Sequence, residues 1–471
     1  MNQGMVNLSK DPVLYRSEEM EKQFNELIDT VLEYSMFSEN TKRQAEWVIS
    51  DTVISALYGL QSEEEIASYI NDASNRVTDQ GYRFPVLGTD LLIDRKDSLI
   101  IHGTALVSNE LDEGNTFAKG HPSAHILPSL LVSAYENDAT TEQVIDAFIR
   151  AYEISSRLAY AISMRNDMHP HGTWGNVGGA VARALIEGRD KAAIKEIVLM
   201  TLSLPLSTTW LAAEKGQSVR NLYTGIGSFL AYETVSYQQY GFGSNKKVVE
   251  NLWSSIMGDG ITADRLTESL MDPPLIIKNY LKVHPACRFT HAAIDASLAL
   301  KAGNSINFKE IDKVEVETYN LAARCNIKRP ETRLQSKFSI PYVVACILMG
   351  VDLFGDYEDN LQQVEKLAYR VFVSESQELT KLLPERRAAK VIVTLKDGTE
   401  LEHTTYTAKG EYDHRFSEEE LWDKYQNMLT DHYDVNFLSV LKGNLLNIRR
   451  YPTFKEWMQA NQLMGELTCK N

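Results

Sequence analysis

Apolar residues recur at three- and four-residue spacing over most of the first half of the chain, the mark of helices with one buried stripe. Glu18 to Phe37 and Thr41 to Tyr58 carry this pattern. Ser62-Glu63-Glu64-Glu65 predicts the start of another helix, with a serine cap and acidic residues facing the positive end of the helix dipole. Ser98 to Asn109 and Ala124 to Tyr135 are apolar enough to be buried helices. Thr141-Glu142-Gln143-Val144 opens a longer helix through Ile162, and Ala180 to Glu187, Ala192 to Leu204 and Ser218 to Tyr240 continue the series. Gly241-Phe242-Gly243-Ser244 then breaks it.

After Pro273 the pattern changes. Lys313 to Tyr319 alternates as a half-buried strand should, and Lys390 to Thr407 reads strand, turn, strand, with Asp397-Gly398 supplying the turn. Leu367 to Val373 is a candidate third strand, and Ser339 to Met349 a buried helix between them. Ser417-Glu418-Glu419-Glu420 forms a capping box for a last helix through Met428. The expected fold is mainly α. A helical domain (1–273, completed by 411–471 packing back on it) carries a smaller α+β domain (274–410).

Composition narrows the functional classes. The 471 residues, 44% hydrophobic and 24% charged, suit a soluble protein with a sizeable core. No basic region followed by an apolar run opens the chain, and no stretch approaches the roughly 20 apolar residues of a membrane span. A cytoplasmic protein without a membrane partner is therefore expected. The net charge of -16 argues against nucleic acid and means that an anionic substrate needs a local basic cluster. The four cysteines form no CxxC pair, so neither a disulfide framework nor a zinc knuckle is expected.

Three segments concentrate chemistry. Leu111-Asp112-Glu113-Gly114-Asn115-Thr116-Phe117-Ala118-Lys119-Gly120-His121-Pro122-Ser123 puts a carboxylate, a hydroxyl, an ammonium and an imidazole between two buried helices, although it also reads as an ordinary surface loop. Met168 to Ala180 holds His169, His171 and four glycines ahead of a helix, where exposed amides favour an anion and small residues equally favour tight packing. Lys278 to Ala296 brings Lys282, Arg288 and His291 before an alanine-rich helix; cations suit carboxylates, and histidine suits proton transfer.

In this order the segments resemble the MmgE/PrpD family, whose namesake is 2-methylcitrate dehydratase. The family's LD(F)DD…HPS motif is met by Leu111-Asp112 through His121-Pro122-Ser123, its H-x-T/P…G…GAA segment by His169 to Ala180, and its K-x-(Y/F/H)-P-x-C/H…H…DA segment by Lys282 to Ala296. Gln335 to Tyr342, with Lys337, matches a fourth motif, and Gly216 to Gly225, with Arg220, a fifth. The resemblance implies a helical domain with an α+β lid, a homodimer, and a site in the cleft between domains. It also implies removal of a proton α to a carboxylate of a small di- or tricarboxylate, then dehydration, decarboxylation or epimerisation, with neither metal nor cofactor. A 2-methylcitrate dehydratase-like hydro-lyase of propionate catabolism is the leading expectation.

Carried over residue by residue, the resemblance makes Asp112, Thr116, His121, His169 and His171 the candidate catalytic groups. His171 competes with His169 because the HxH spacing leaves the register open by two, and the division between acid and base is open too. Lys119, Arg220, Lys282, Arg288 and Lys337 are the candidate carboxylate-binding residues. Glu113-Gly114-Asn115 stands where many relatives have acidic residues, Arg220 replaces a common lysine, and Asn326 replaces a tyrosine of the decarboxylases. These departures disfavour cis-aconitate decarboxylation, which stays an alternative beside an iminodisuccinate epimerase-like enzyme and a silent carboxylate-binding relative. A metal hydrolase built on His121 and His125, four apart on one helix face, is a competing enzyme class.

Overall fold

The computed structural model describes residues 12–77, 83–355 and 357–465. Helices Glu39–Ser62, Arg95–Ser108, Pro122–Glu136, Thr141–Ala161, Asn176–Ile186 and Val219–Gln239 pack into one large core, to which Leu421, Trp422, Tyr425 and Trp457 return near the C-terminus. A second core forms around the sheet. Its strand order is Glu400–Thr405, Ala389–Leu395, Ile311–Thr318, Val371–Glu375, antiparallel except for the last pair. Helices His291–Gly303 and Ile340–Met349 contribute Ala293, Ile294, Val344 and Ile347 to that core. A small third cluster, Ala213, Cys287 and Phe338, has Trp210 and Phe289 packed against it. Among the described residues no helix is long and apolar enough to cross a membrane.

Local sequence explains most of these elements. Thr140 and Gln143 bond reciprocally at the start of Thr141–Ala161, and Ser417 and Glu420 do the same before Glu418–Leu429. Two expectations fail. Ser62 is the last residue of Glu39–Ser62, and Glu63 precedes the helix Glu64–Arg76 without a side-chain cap bond. The apolar positions of 39–62 keep their helical period to the end, so the earlier helix claims the serine. Leu367 is not in a strand either: Tyr357–Ala368 is helical, with Leu367 and Ala368 in the second core, and the strand begins at Val371. A run with apolar residues at both spacings is ambiguous until packing decides.

Two close approaches position the site. Gly225 lies against helix Arg95–Ser108, where a Cβ would come 2.4 Å from Ile100 O, so the crossing helix Val219–Gln239 brings Arg220 to the end of its neighbour. Gly114-Asn115 pairs with Asn279-Tyr280 as a two-residue ladder, joining the first and third chemical segments. A Cβ on Gly114 would fall 2.3 Å from the Tyr280 hydroxyl, which accounts for glycine in place of an acidic residue there.

Candidate active site

The first segment is a tight loop held by Asn115. Its Oδ1 accepts the amides of Phe117 (2.9 Å) and Ala118 (3.1 Å), its Nδ2 donates to Leu275 O (2.9 Å), and its backbone bonds Gly120. The loop ends at His121, directly before helix Pro122–Glu136, whose first residue can lack an amide proton at no cost. Glu110 (φ 56°) and Lys119 (φ 56°) adopt left-handed backbone, a conformation that costs on the order of 1 kcal/mol or more in a non-glycine residue and collects at functional sites.

Behind the loop lies a buried charge network. Glu110 pairs with Arg220 and with Lys282 (3.0 Å), and Lys282 also pairs with Asp112 (3.0 Å). Arg220 donates to Val107 O as well (2.7 Å), capping the end of a helix where carbonyls lack partners. His121 Nδ1 donates to Glu113 O (2.8 Å), and Asp112 Oδ2 lies beside the same nitrogen at 2.9 Å, off the line of the N–H bond. Burial alone would raise the Asp112 carboxyl, but the adjacent His121 and Lys282 outweigh it and hold the group well below the usual carboxylate range. Glu110 is lowered in the same way, with Arg220 and Lys282 overcoming burial.

The second segment faces this loop. His169 Nδ1 accepts the His171 amide (3.2 Å), so in the neutral ring the proton sits on Nε2, which is buried without a partner. Burial first, then Arg220, pushes the His169 imidazole well below its ordinary value, and His171 is depressed likewise. Both rings are neutral at physiological pH. The His171 ring is centred 4.6 Å from His169 and 5.2 Å from His121, and both its nitrogens are unpartnered.

A cavity of about 180 Å³ opens between the two cores. Of the candidates named from sequence, Lys119, His121, His169, Arg220 and Arg288 line it. Asp112, His171 and Lys282 sit one layer behind, and the Thr116 hydroxyl is buried in the loop without a partner. Lys337 lines a separate cleft, donates to Asn109 Oδ1 (2.8 Å), and is pushed down to about 7 by burial and Arg333. Arg288 is bound by Glu411 (2.6 Å) and by His291 Nδ1 (3.1 Å). His291 also bonds Ala286 O, so it is a structural ring. Sequence reasoning missed Glu110, Tyr280, Trp210 and Arg387, all on the cavity wall.

His125 is not available to a metal. Its Nδ1 bonds His121 O (3.0 Å) and its Nε2 accepts the Gly172 amide (3.0 Å), so it ties two segments together. One ligand atom each from Asp112, His121 and His171 lie within 4.8 Å of one another. Lys282 supplies a positive charge to Asp112 through Oδ1 (3.0 Å), while Asp112 Oδ2 and both His171 nitrogens are without a hydrogen-bond partner.

The model of the MmgE/PrpD N-terminal domain matches residues 25–259, and that of the MmgE/PrpD C-terminal domain residues 284–437. The chain belongs to the MmgE/PrpD family. Among curated proteins, none matches it. The two matched stretches meet across the cavity: the MmgE/PrpD N-terminal domain supplies His121, His169 and Arg220, and the C-terminal domain Arg288, Phe338 and Arg387.

Beneath the loop, Glu113 accepts the Tyr152 hydroxyl (2.6 Å) and the Ser123 amide (3.2 Å), and burial lifts it to about 7. A folded value above the unfolded one gives stability that is complete below the unfolded pKa and lost as pH rises through about 7. Glu113→Gln, neutral throughout, should remove that loss. Between pH 5 and 8 wild-type stability in urea is expected to fall by roughly 2 kcal/mol more than the variant's. Parallel curves would refute the buried, protonated state.

Proposed function

We propose that this protein is a metal-independent lyase that removes a proton α to a carboxylate of a small di- or tricarboxylate and expels water, most like 2-methylcitrate dehydratase. The observation that carries the reading is the pairing of two histidines with opposite hydrogen-bonding states on one cationic cavity. His121 has Nδ1 committed to Glu113 O, leaving Nε2 to take a proton, while His169 offers a neutral Nε2–H donor.

In this reading His121 Nε2 takes the proton from carbon, and Asp112 beside Nδ1 stabilises the imidazolium that forms. The electron pair moves towards the substrate carboxylate, where arginine charge offsets it. The pair then returns to form the double bond as the β-hydroxyl leaves. His169 donates a hydrogen bond to the departing oxygen, and the proton held by His121 leaves with it as water. A neutral imidazole serves here as an electrophilic donor rather than as a strong acid.

Incubation in D2O with 2-methylcitrate, citrate, cis-aconitate and iminodisuccinate-like acids, followed by NMR, tests the proposal. Deuterium at one carbon is the expected result, and the product separates dehydration from decarboxylation and epimerisation. No exchange with any acid by a folded protein would overturn it in favour of a binding role.

A further inference from the structure

Six cations line the cavity among the described residues: Lys119, Arg165, Arg220, Arg288, Arg324 and Arg387. Four of them already have carboxylate partners. Arg220 holds Glu110, Arg288 holds Glu411, Arg324 holds Glu214 at 2.8 Å, and Arg165 faces Asp259 at 3.6 Å. Lys119 and Arg387 have none within 4 Å. Lys119 is an exposed residue whose ammonium, partly withdrawn from water, reaches Ile162 O at 3.5 Å. Arg387 is half-buried, its guanidinium over the rings of Tyr280 (5.7 Å) and Phe289 (5.8 Å).

The two rings favour a cation beside them, and the Tyr280 hydroxyl is a polar neighbour of the guanidinium, which carries five N–H donors and has no carboxylate within 4 Å to use them. The planar fork of a guanidinium matches a carboxylate in two parallel hydrogen bonds. Withdrawing the group from water without a counter-anion is costly, and a bound carboxylate would offset that cost. Tyr280 is itself held by the Gly114-Asn115 ladder, so the Arg387 platform is built on the loop that presents His121.

We propose that Arg387 is the residue that receives a substrate carboxylate and sets specificity for polycarboxylates, with Arg220, Lys282 and Arg288 serving to neutralise the protein's own acids. This inference rests on the carboxylate-lyase reading of the cavity. Arg387 receives one carboxylate of such a ligand, and Lys119, the other wall cation without a carboxylate partner among the described residues, lines the same cavity for a second.

Titration calorimetry with tricarballylate, which has no hydroxyl to lose, tests it apart from catalysis. Wild type should bind, and Arg387→Gln should bind about tenfold to a hundredfold more weakly, as loss of a charge-assisted pair implies. Arg387→Lys keeps the charge and the apolar stem; a loss smaller than that of the glutamine variant is expected. If the glutamine variant fails to fold, the lysine variant decides the matter through a loss of several-fold. Equal affinity in wild type and either folded variant overturns the proposal, as does absence of binding by wild type. Exchange in D2O by wild type, measured in parallel, keeps the two questions apart. Exchange without an Arg387 effect sinks the carboxylate assignment alone, whereas lost binding in the variant without exchange by wild type sinks the lyase reading alone.

Discussion

Replacing His121 with alanine is expected to lower turnover by about a hundredfold to ten-thousandfold, the range over which a positioned general base acts. Carbon acids surrender protons slowly, and among the groups on this cavity wall His121 alone combines a committed Nδ1 with an adjacent carboxylate. The rate of deuterium incorporation should fall with kcat, because both require the same proton transfer, while KM changes little. Asp112→Asn should reduce kcat with His121 still present, since a neutral amide cannot stabilise an imidazolium. His169→Ala should slow net elimination more than deuterium incorporation, because its Nε2–H acts on the leaving oxygen. Near-wild-type turnover in both His121→Ala and His169→Ala would remove the acid–base assignment.

Much of the fold was legible because its signals are local. The capping box at Ser417 and the turn with Gly398 at φ 89° follow from spacing alone, and both form as the sequence predicts. Ser62 misled because an N-cap serine looks the same as a serine ending the previous helix. Leu367 misled because its surroundings suit a helix and a strand alike, and contact with the second core decided between them.

The site was legible in its membership more than in its wiring. The three segments do meet, through the ladder of Gly114-Asn115 with Asn279-Tyr280 and the bond of His125 to Gly172, but nothing within a short window of sequence specifies a partner so far along the chain. The pairing of Arg220 with Glu110 spans 110 residues and that of Lys282 with Asp112 spans 170. A sequence reading sees five cations and counts five anion receptors, whereas the folded chain has already spent most of them. Arg387 carried no signal, because it follows Arg386 in a polar stretch that reads as solvated surface.

That wiring yields the second large effect. Lys282→Met should destabilise the protein by about 3–5 kcal/mol at neutral pH, because it leaves buried carboxylates without their ammonium. Glu110 would keep Arg220 and Asp112 would keep His121, so the effect should be smaller than that of removing every partner. The pH dependence separates this account from a simple packing defect. A carboxyl whose folded pKa is depressed contributes stability above its unfolded pKa, and that contribution is lost as pH falls through the folded value. Removing Lys282 raises the folded value for Asp112, so the deficit should be largest at neutral pH and shrink below pH 4, where the unfolded carboxyls protonate. Urea unfolding of wild type and variant at pH 7 and pH 3.5 measures both terms. A deficit equal at the two pH values would point to lost packing of the lysine stem. A stable variant with weakened tricarballylate binding would instead make Lys282 a receptor for substrate, against the pairing with Glu110 and Asp112 and against the assignment of that task to Arg387.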